Sequence, residues 1–214
     1  MGELRERKKR ETRERISDVA TALFFERGFE AVTVDEIAAA AGVSKMTVFN
    51  YFARKEELML DREEDLKLLP LRQALHERPK GQSAVNAMRG VLRALIAEKH
   101  PLAYVHRQSV RWWRVIAASP SLQARLRELA DEAAEGLAIE LGGPKPDGLA
   151  QLTAAMIVAT VRTARAEAIR QLDRGASEKK ANAVLHALLE RGLTAIETIA
   201  HPSASKRVVA SAEG

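Results

Sequence analysis

The sequence contains no cysteine, which excludes a disulfide framework and every thiolate-based zinc, iron–sulfur or nucleophilic site. It has no run of 18 consecutive apolar residues, so no segment reads as a membrane-spanning helix. The opening stretch MGELRERKKRETRER lacks the apolar centre of a signal peptide. A cytoplasmic protein that makes no membrane contact is expected. Enzyme signatures are missing too: there is no GxSxG, HExxH, P-loop or GxGxxG. The five histidines, at 76, 100, 106, 186 and 201, include no i, i+4 pair suited to metal. Asp61, Glu64 and Asp65 cluster beside Arg62, a pattern that reads as a solvated face rather than an acid/base pair. No catalytic role, metal or cofactor is expected.

Aromatic residues are scarce, at 4% of the chain, and their placement is informative. All five phenylalanines and Tyr51 lie between Phe24 and Phe52, leaving Tyr104, Trp112 and Trp113 for everything beyond. A small unit has little interior volume, and large rings supply much buried area per residue, so the amino-terminal quarter reads as a small, densely packed domain. The remainder is rich in Ala, Leu and Arg, strong helix formers, with Gly and Pro between periodic segments. With 214 residues, 46% hydrophobic and 29% charged, the chain can build a substantial core. The net charge of +5 is too small to identify a polyanionic partner by itself, but Arg5 to Arg15 holds seven basic residues.

Ile16, Val19, Ala20, Leu23 and Phe24 form an i, i+3, i+4, i+7, i+8 stripe, which predicts a helix ending near Arg27 with Gly28 as its cap. Phe24, Phe25, Phe29 and Phe52 are expected in the core. Thr33 stands three residues before Glu36, a capping box for a short second helix with Ile37, Ala38 and Ala41 inward. Gly42 supplies a turn, Val43 is the buried residue beyond it, and Ser44 caps a third helix through Phe52. Two short helices joined by a glycine turn and resting on a longer one make a helix-turn-helix.

The stretch TVDEIAAAAGVSKMTVFNYFARKEEL, residues 33–58, resembles the DNA-binding domain of the TetR family of bacterial transcriptional regulators. The resemblance combines Thr33, Ile37-Ala38, Ala41-Gly42-Val43-Ser44, Thr47, Tyr51-Phe52, Lys55 and Leu58, and covers roughly residues 10–60. It implies an all-α protein, with this domain followed by a larger helical domain for effector binding and dimerisation. The expected boundaries are 1–57, with 1–9 a basic flexible arm, then 58–201, then a disordered tail at 202–214.

The residue chemistry agrees. The major groove admits one helix, whose leading residues reach base edges. Here those residues are Lys45, Met46 and Thr47. Lys45 can donate to guanine or phosphate, Met46 can touch a thymine methyl, and the Thr47 hydroxyl can bond a base or the backbone. Ser44 leads the helix, whose N-terminus favours phosphate. Lys55 resembles the family's phosphate-binding lysine, Thr33 its backbone clamp, and Tyr51 combines a buried ring with an outward hydroxyl. Phe49 stands where many members carry tyrosine, so a hydrogen bond to DNA is lost; its ring either packs on a thymine methyl or sugar or sits in the core. Asn50, where histidine is common, could read adenine. Arg5, Lys8 and Lys9 could reach phosphates as basic arms do.

Beyond Phe52 a helix carrying Leu58, Leu60, Leu66 and Leu69 is expected to stop at Pro70. A loop at 76–82 follows, then a helix capped by Ser83, one opened by Pro101 and running through Trp112 to about Ala118, one from Ser119-Pro120 to Gly142, one from Gly148 to Leu172, and one capped by Ser177. Trp112 and Trp113 project about 100° apart, and Trp112 is expected inside, where it could stack on a ligand. Tyr104, Met88 and Arg162 are further pocket candidates; Arg162 or Arg165, if inward, would need an anionic partner. The last two helices carry enough apolar positions, among them Ala154, Ala155, Val158, Val161, Ala164, Val184, Leu188 and Ile196, to form a homodimer as well as a core. A sequence-specific, ligand-responsive repressor is expected, binding double-stranded DNA at a palindromic operator and released by a small-molecule effector. The alternatives are a constitutive DNA-binding regulator and an activator.

Overall fold

Large rings fill the first centre of packing. Phe24 and Phe52 are fully buried and Phe29 nearly so, together with Ile16, Ala20, Ile37 and Val48. The Phe24 and Phe29 rings lie 4.8 Å apart. Apart from Phe29 and Phe52, which follow α1 and α3, these residues come from the first three of ten α-helices in a computed structural model that describes residues 2–61 and 63–200. The helices are α1 Gly2–Arg27, α2 Val34–Ala40, α3 Lys45–Tyr51, α4 Glu63–Leu66, α5 Leu69–His76, α6 Ala84–Ala97, α7 Ser109–Ala118, α8 Pro120–Gly142, α9 Gly148–Asp173 and α10 Glu178–Ala200. A 3-10 turn at Lys55–Leu58 lies between α3 and α4. No strand occurs among the described residues.

The chain divides into two compact units, and the division is not a single cut. Residues up to 63 join with 111–127, and residues 64–110 join with those from 128 onward. In the first unit α1 packs on α2 and on the 3-10 turn, and α2 packs on α3. The Trp112 indole donates to the Met59 carbonyl at 3.1 Å, and the Arg111 guanidinium lies 4.5 Å from the centre of the Phe25 ring. Phe25, expected as core, is therefore half-buried beneath a cation. Glu30 accepts from the Ser119 hydroxyl at 2.6 Å and from the Ser121 hydroxyl and amide, placing a carboxylate at the start of α8, where the helix dipole favours it. In the second unit α5 packs on α6, α6 on α10, and α9 on α10. Met88, Leu137, Ala154 and Leu185 are among its fully buried core residues. At Gly192 a methyl group would overlap the Thr160 side chain, so α10 approaches α9 closely there.

Three expectations need correction. Residues 2–9, expected as a flexible arm, continue α1; they contain no Gly beyond position 2 and no Pro, and the i, i+4 pair Arg7–Glu11 at 3.3 Å supports the helix. Pro70 does not end a helix but sits in the first turn of α5, where its missing N–H is one that no helix bond would use. The break falls at Leu68, buried and left-handed at φ 55°, a conformation costing a branched residue on the order of 1 kcal/mol. Residues 101–108 are not helical, and α7 begins only at Ser109. The Ala103 carbonyl, the Val105 amide and carbonyl and the Arg107 amide bond instead to side chains of α10. The tail expected at 202–214 lies outside the described residues.

Gly42 has φ 66°, and a Cβ there would meet nothing within 4 Å. Gly42→Ala should therefore cost about 1 kcal/mol from backbone strain alone, read as a lower urea midpoint with unchanged slope. An unchanged midpoint would contradict the turn geometry.

Candidate nucleic-acid interface

The turn before α3 is fixed by backbone bonds. The Gly42 amide donates to Ala39 O and the Val43 amide to Ala38 O, the paired closure of a Schellman motif. Val43 is half-buried rather than buried. Ser44 then caps α3, its hydroxyl accepting from the Thr47 amide at 3.0 Å. At the other end of α2, the Thr33 hydroxyl accepts from the Glu36 amide, while the Glu36 carboxylate accepts from the Thr33 amide at 2.8 Å. Both caps stand where the sequence places them.

Val48 is the one buried residue of α3, and its neighbours divide accordingly. Met46 is 70% exposed and Phe49 43% exposed; Lys45 and Asn50 are exposed, while Thr47 and Tyr51 are half-buried. Phe49 thus takes the outward of the two places open to it. Residues 45, 46, 49 and 50 form one outward face, since positions three and four apart on a helix are neighbours.

Several of these polar groups already hold partners. Lys45 pairs with Asp35 at 2.8 Å across α2 and α3. Both side chains are more than half exposed, so the pair is worth under about 1 kcal/mol. The Thr47 hydroxyl lies 2.8 Å from that of Ser44, and the Thr33 hydroxyl donates to Glu36 at 2.8 Å. Lys55 stands apart from the outward face. Its ammonium donates to the Phe29 carbonyl at 2.6 Å and lies 4.2 Å from the centre of the Phe29 ring. Burial pushes its pKa below the ordinary lysine value. Lys55 therefore ties the residues after α3 back to the loop after α1. No local spacing announces that contact. Arg13 over the Phe52 ring at 4.6 Å is another contact the sequence does not reveal.

The expected ligand residues are divided between the two units. Trp112 belongs to the first unit and bonds Met59. Tyr104, half-buried in the second, donates to Glu178 at 3.5 Å. Arg162 is exposed on α9, and the arginine that turns inward is Arg165, at 9% exposure. Met88 alone of the four lines a cavity of about 240 Å³, with Val85, Leu141, Ala150, Thr153 and Ile196. No group of three or more His, Asp or Glu among the described residues could hold a metal, and none of the helices there is long and apolar enough to cross a membrane.

A three-helix unit with a capped, outward-facing third helix defines a helix-turn-helix protein. Residues 16–61 match the model for bacterial regulatory proteins of the tetR family, so the amino-terminal domain is similar to the DNA-binding domain of that family. Over 93 residues it is 40% identical to the HTH-type transcriptional regulator TcmR of Streptomyces glaucescens, covering 44% of this chain and 41% of TcmR; the match thus spans under half of that relative. The fold is similar to that of SmeT in its triclosan complex, with TM-score 0.56, 22% identity and coverage of 86% and 90% of the two chains. It is also similar to that of NalD, the secondary repressor of the MexAB-OprM efflux pump in Pseudomonas aeruginosa, with TM-score 0.53, 17% identity and coverage of 87% and 97%.

The Thr33 amide, with the Arg27 guanidinium and the Thr33 hydroxyl, lowers the Glu36 pKa from 4.5 to about 2. A lowered carboxylate pKa stabilises the fold above the unfolded value and loses that contribution as pH falls toward the folded one. Wild type should unfold at higher urea than Glu36→Gln above pH 5, with the gap closing between pH 4.5 and 2. A gap that stays constant across this range would rule out the capping box as its source.

Proposed function

We propose that this protein is a sequence-specific DNA-binding transcriptional regulator that acts as a homodimer on an inverted-repeat operator and is released by a small-molecule effector, making it a repressor. The observation that carries the reading is the outward face of α3, where Lys45, Met46, Phe49 and Asn50 are exposed around buried Val48. Lys45 leaves Asp35 for a guanine or phosphate, Met46 and Phe49 cover thymine methyls or sugars, and Asn50 meets adenine. Ser44 and Thr47 stand at the helix start, where backbone N–H groups favour phosphate. Thr33 and Tyr51 contact the DNA backbone at its flanks. Lys55, held at Phe29, orients α3, and its ammonium has further N–H donors for a phosphate.

Two copies supply the affinity that one small domain lacks, and operator symmetry mirrors protein symmetry. The dimer face lies on α9 and α10. Ala154, Val158, Val161, Ala164 and Ile196 are buried within one chain, which leaves the opposite side of each helix for a partner. On α9 that side carries Leu149 and Leu152, 46% and 50% exposed, with exposed Ala155 and Ala159; on α10 it carries Ala183, Ala187 and Ile199. Small residues let helices approach closely, and the apolar row is exposed as an interface requires.

The effector occupies the larger unit, where the cavity beside Met88 supports a ligand-responsive reading over a constitutive one. It acts only to the extent that it binds the DNA-releasing state more tightly than the DNA-binding state.

Lys45→Ala and Thr47→Ala should each weaken binding to a selected operator about tenfold, the loss of one base or phosphate contact, with unchanged thermal unfolding. Wild-type affinity in both would remove α3 from the interface. Leu152→Glu should halve the mass measured by sedimentation equilibrium, and a dimeric mass would place the interface elsewhere.

A further inference from the structure

The segment from Pro101 to Gln108 presents a conflict between local preference and tertiary packing. Leu102, Val105, Ser109, Trp112 and Ile116 recur at helical spacing, a proline stands at the first position, and residues 102–108 contain no glycine. The chain nevertheless stays non-helical until Ser109. It leaves α6 through Lys99 at φ 52°, a left-handed conformation that lysine seldom adopts.

Three side chains on one face of α10 hold it there. The Glu178 carboxylate accepts from the Arg107 amide at 2.8 Å. The Asn182 amide accepts from the Val105 N–H and donates to the Val105 carbonyl, both at 2.9 Å. The His186 Nε2 donates to the Ala103 carbonyl at 2.9 Å. The anchors are spaced i, i+4, i+8 on the helix and fall on alternate residues of the strap. That register fits, because four helical residues rise about 6 Å and two extended residues about 6.6 Å. Asn182 is 4% exposed, and its remaining donor capacity goes to the Glu178 carbonyl at 2.8 Å. The Arg107 amide also holds the Glu178 carboxyl below its ordinary pKa.

We infer that residues 101–108 are a two-state segment, held as a strap by Glu178, Asn182 and His186 and able, when released, to extend α7 backward as helix. Both states offer the backbone partners, by α10 side chains and local bonds to His100 in one and by i→i−4 bonds in the other. Both also keep Leu102 and Val105 together, since residues three apart share a helix face. Conversion would shorten the path over residues 104–106, the part of the segment outside turns, by up to about 5 Å, the difference between 3.3 and 1.5 Å per residue. Residues from Arg111 belong to the first unit, so this change of length is passed along the chain toward the DNA-binding domain. That last consequence rests on the proposed function; the two-state segment does not.

The test is backbone chemical-shift assignment and amide exchange on the full chain, wild type against Asn182→Leu, which removes the double anchor while keeping the branched shape of the side chain. In wild type the shifts of 102–107 are non-helical and the Val105 and Arg107 amides are protected. In Asn182→Leu, helical shifts extend from Ser109 back to about Leu102, with α9 and α10 unchanged, and adding Val105→Pro abolishes them. Non-helical shifts with exchange at least about 100-fold faster at Val105 would reduce the segment to an anchored loop and overturn the inference, as would unchanged shifts. If Asn182→Leu fails to fold, Glu178→Ala removes the half-exposed anchor alone and should raise helical shifts at Arg107 and Gln108; their absence would overturn the inference equally. The shifts report the switch whether or not either protein binds DNA.

Discussion

A helix of seven residues cannot hold itself together in water, so the outward face of α3 depends on how that helix is pinned. Val48 is its one buried side chain, and the Gly42 turn and Ser44 cap fix its amino-terminal end. Those constraints set the rotation of the helix, and rotation alone decides that Lys45, Met46, Phe49 and Asn50 face outward together. The ring cluster of Phe24, Phe29 and Phe52 is the bed on which the pinning occurs. Lys55 closes the arrangement by drawing the chain beyond α3 back to the Phe29 carbonyl.

The polar groups of the interface are matched to this role by weakness rather than strength. Lys45 and Asp35 neutralise one another while exposed, in a pair worth under about 1 kcal/mol. Thr47 shares its hydroxyl with the cap that starts its own helix. Each group is thus positioned without being locked. Glu36 is the opposite case: its carboxylate is held by Thr33 and Arg27 and serves the geometry of α2.

The amino-terminal domain was legible because its determinants are local. The Thr33–Glu36 box, the Gly42 turn and the Ser44 cap each span three or four residues, and the apolar stripe of α1 has a clear period. The larger unit was legible in its helix ends, at Ser83, Ser119, Gly142 and Ser177, for the same reason. Sequence reading failed where distant residues decide. Pro70 can end a helix or begin one, and the left-handed turn at Leu68 settles it. Residues 101–108 carry a helical pattern that Asn182, some eighty residues away, overrides. Among the expected ligand residues, Trp112 is drawn to the first unit by the Met59 carbonyl and Arg162 yields the interior to Arg165. Neither outcome has a local signal, because helical period gives a face but not the neighbour that covers it.

The central claim is that α3, held rigid, reads base sequence. Hydroxyl-radical footprinting on a duplex recovered by selection tests it most directly, run beside a scrambled duplex at physiological salt. The account predicts two protected half-sites about one helical turn apart, present on the selected duplex and absent from the scrambled one. Uniform protection of both duplexes, vanishing together as salt is raised, would mean that phosphate charge alone is recognised and would contradict it.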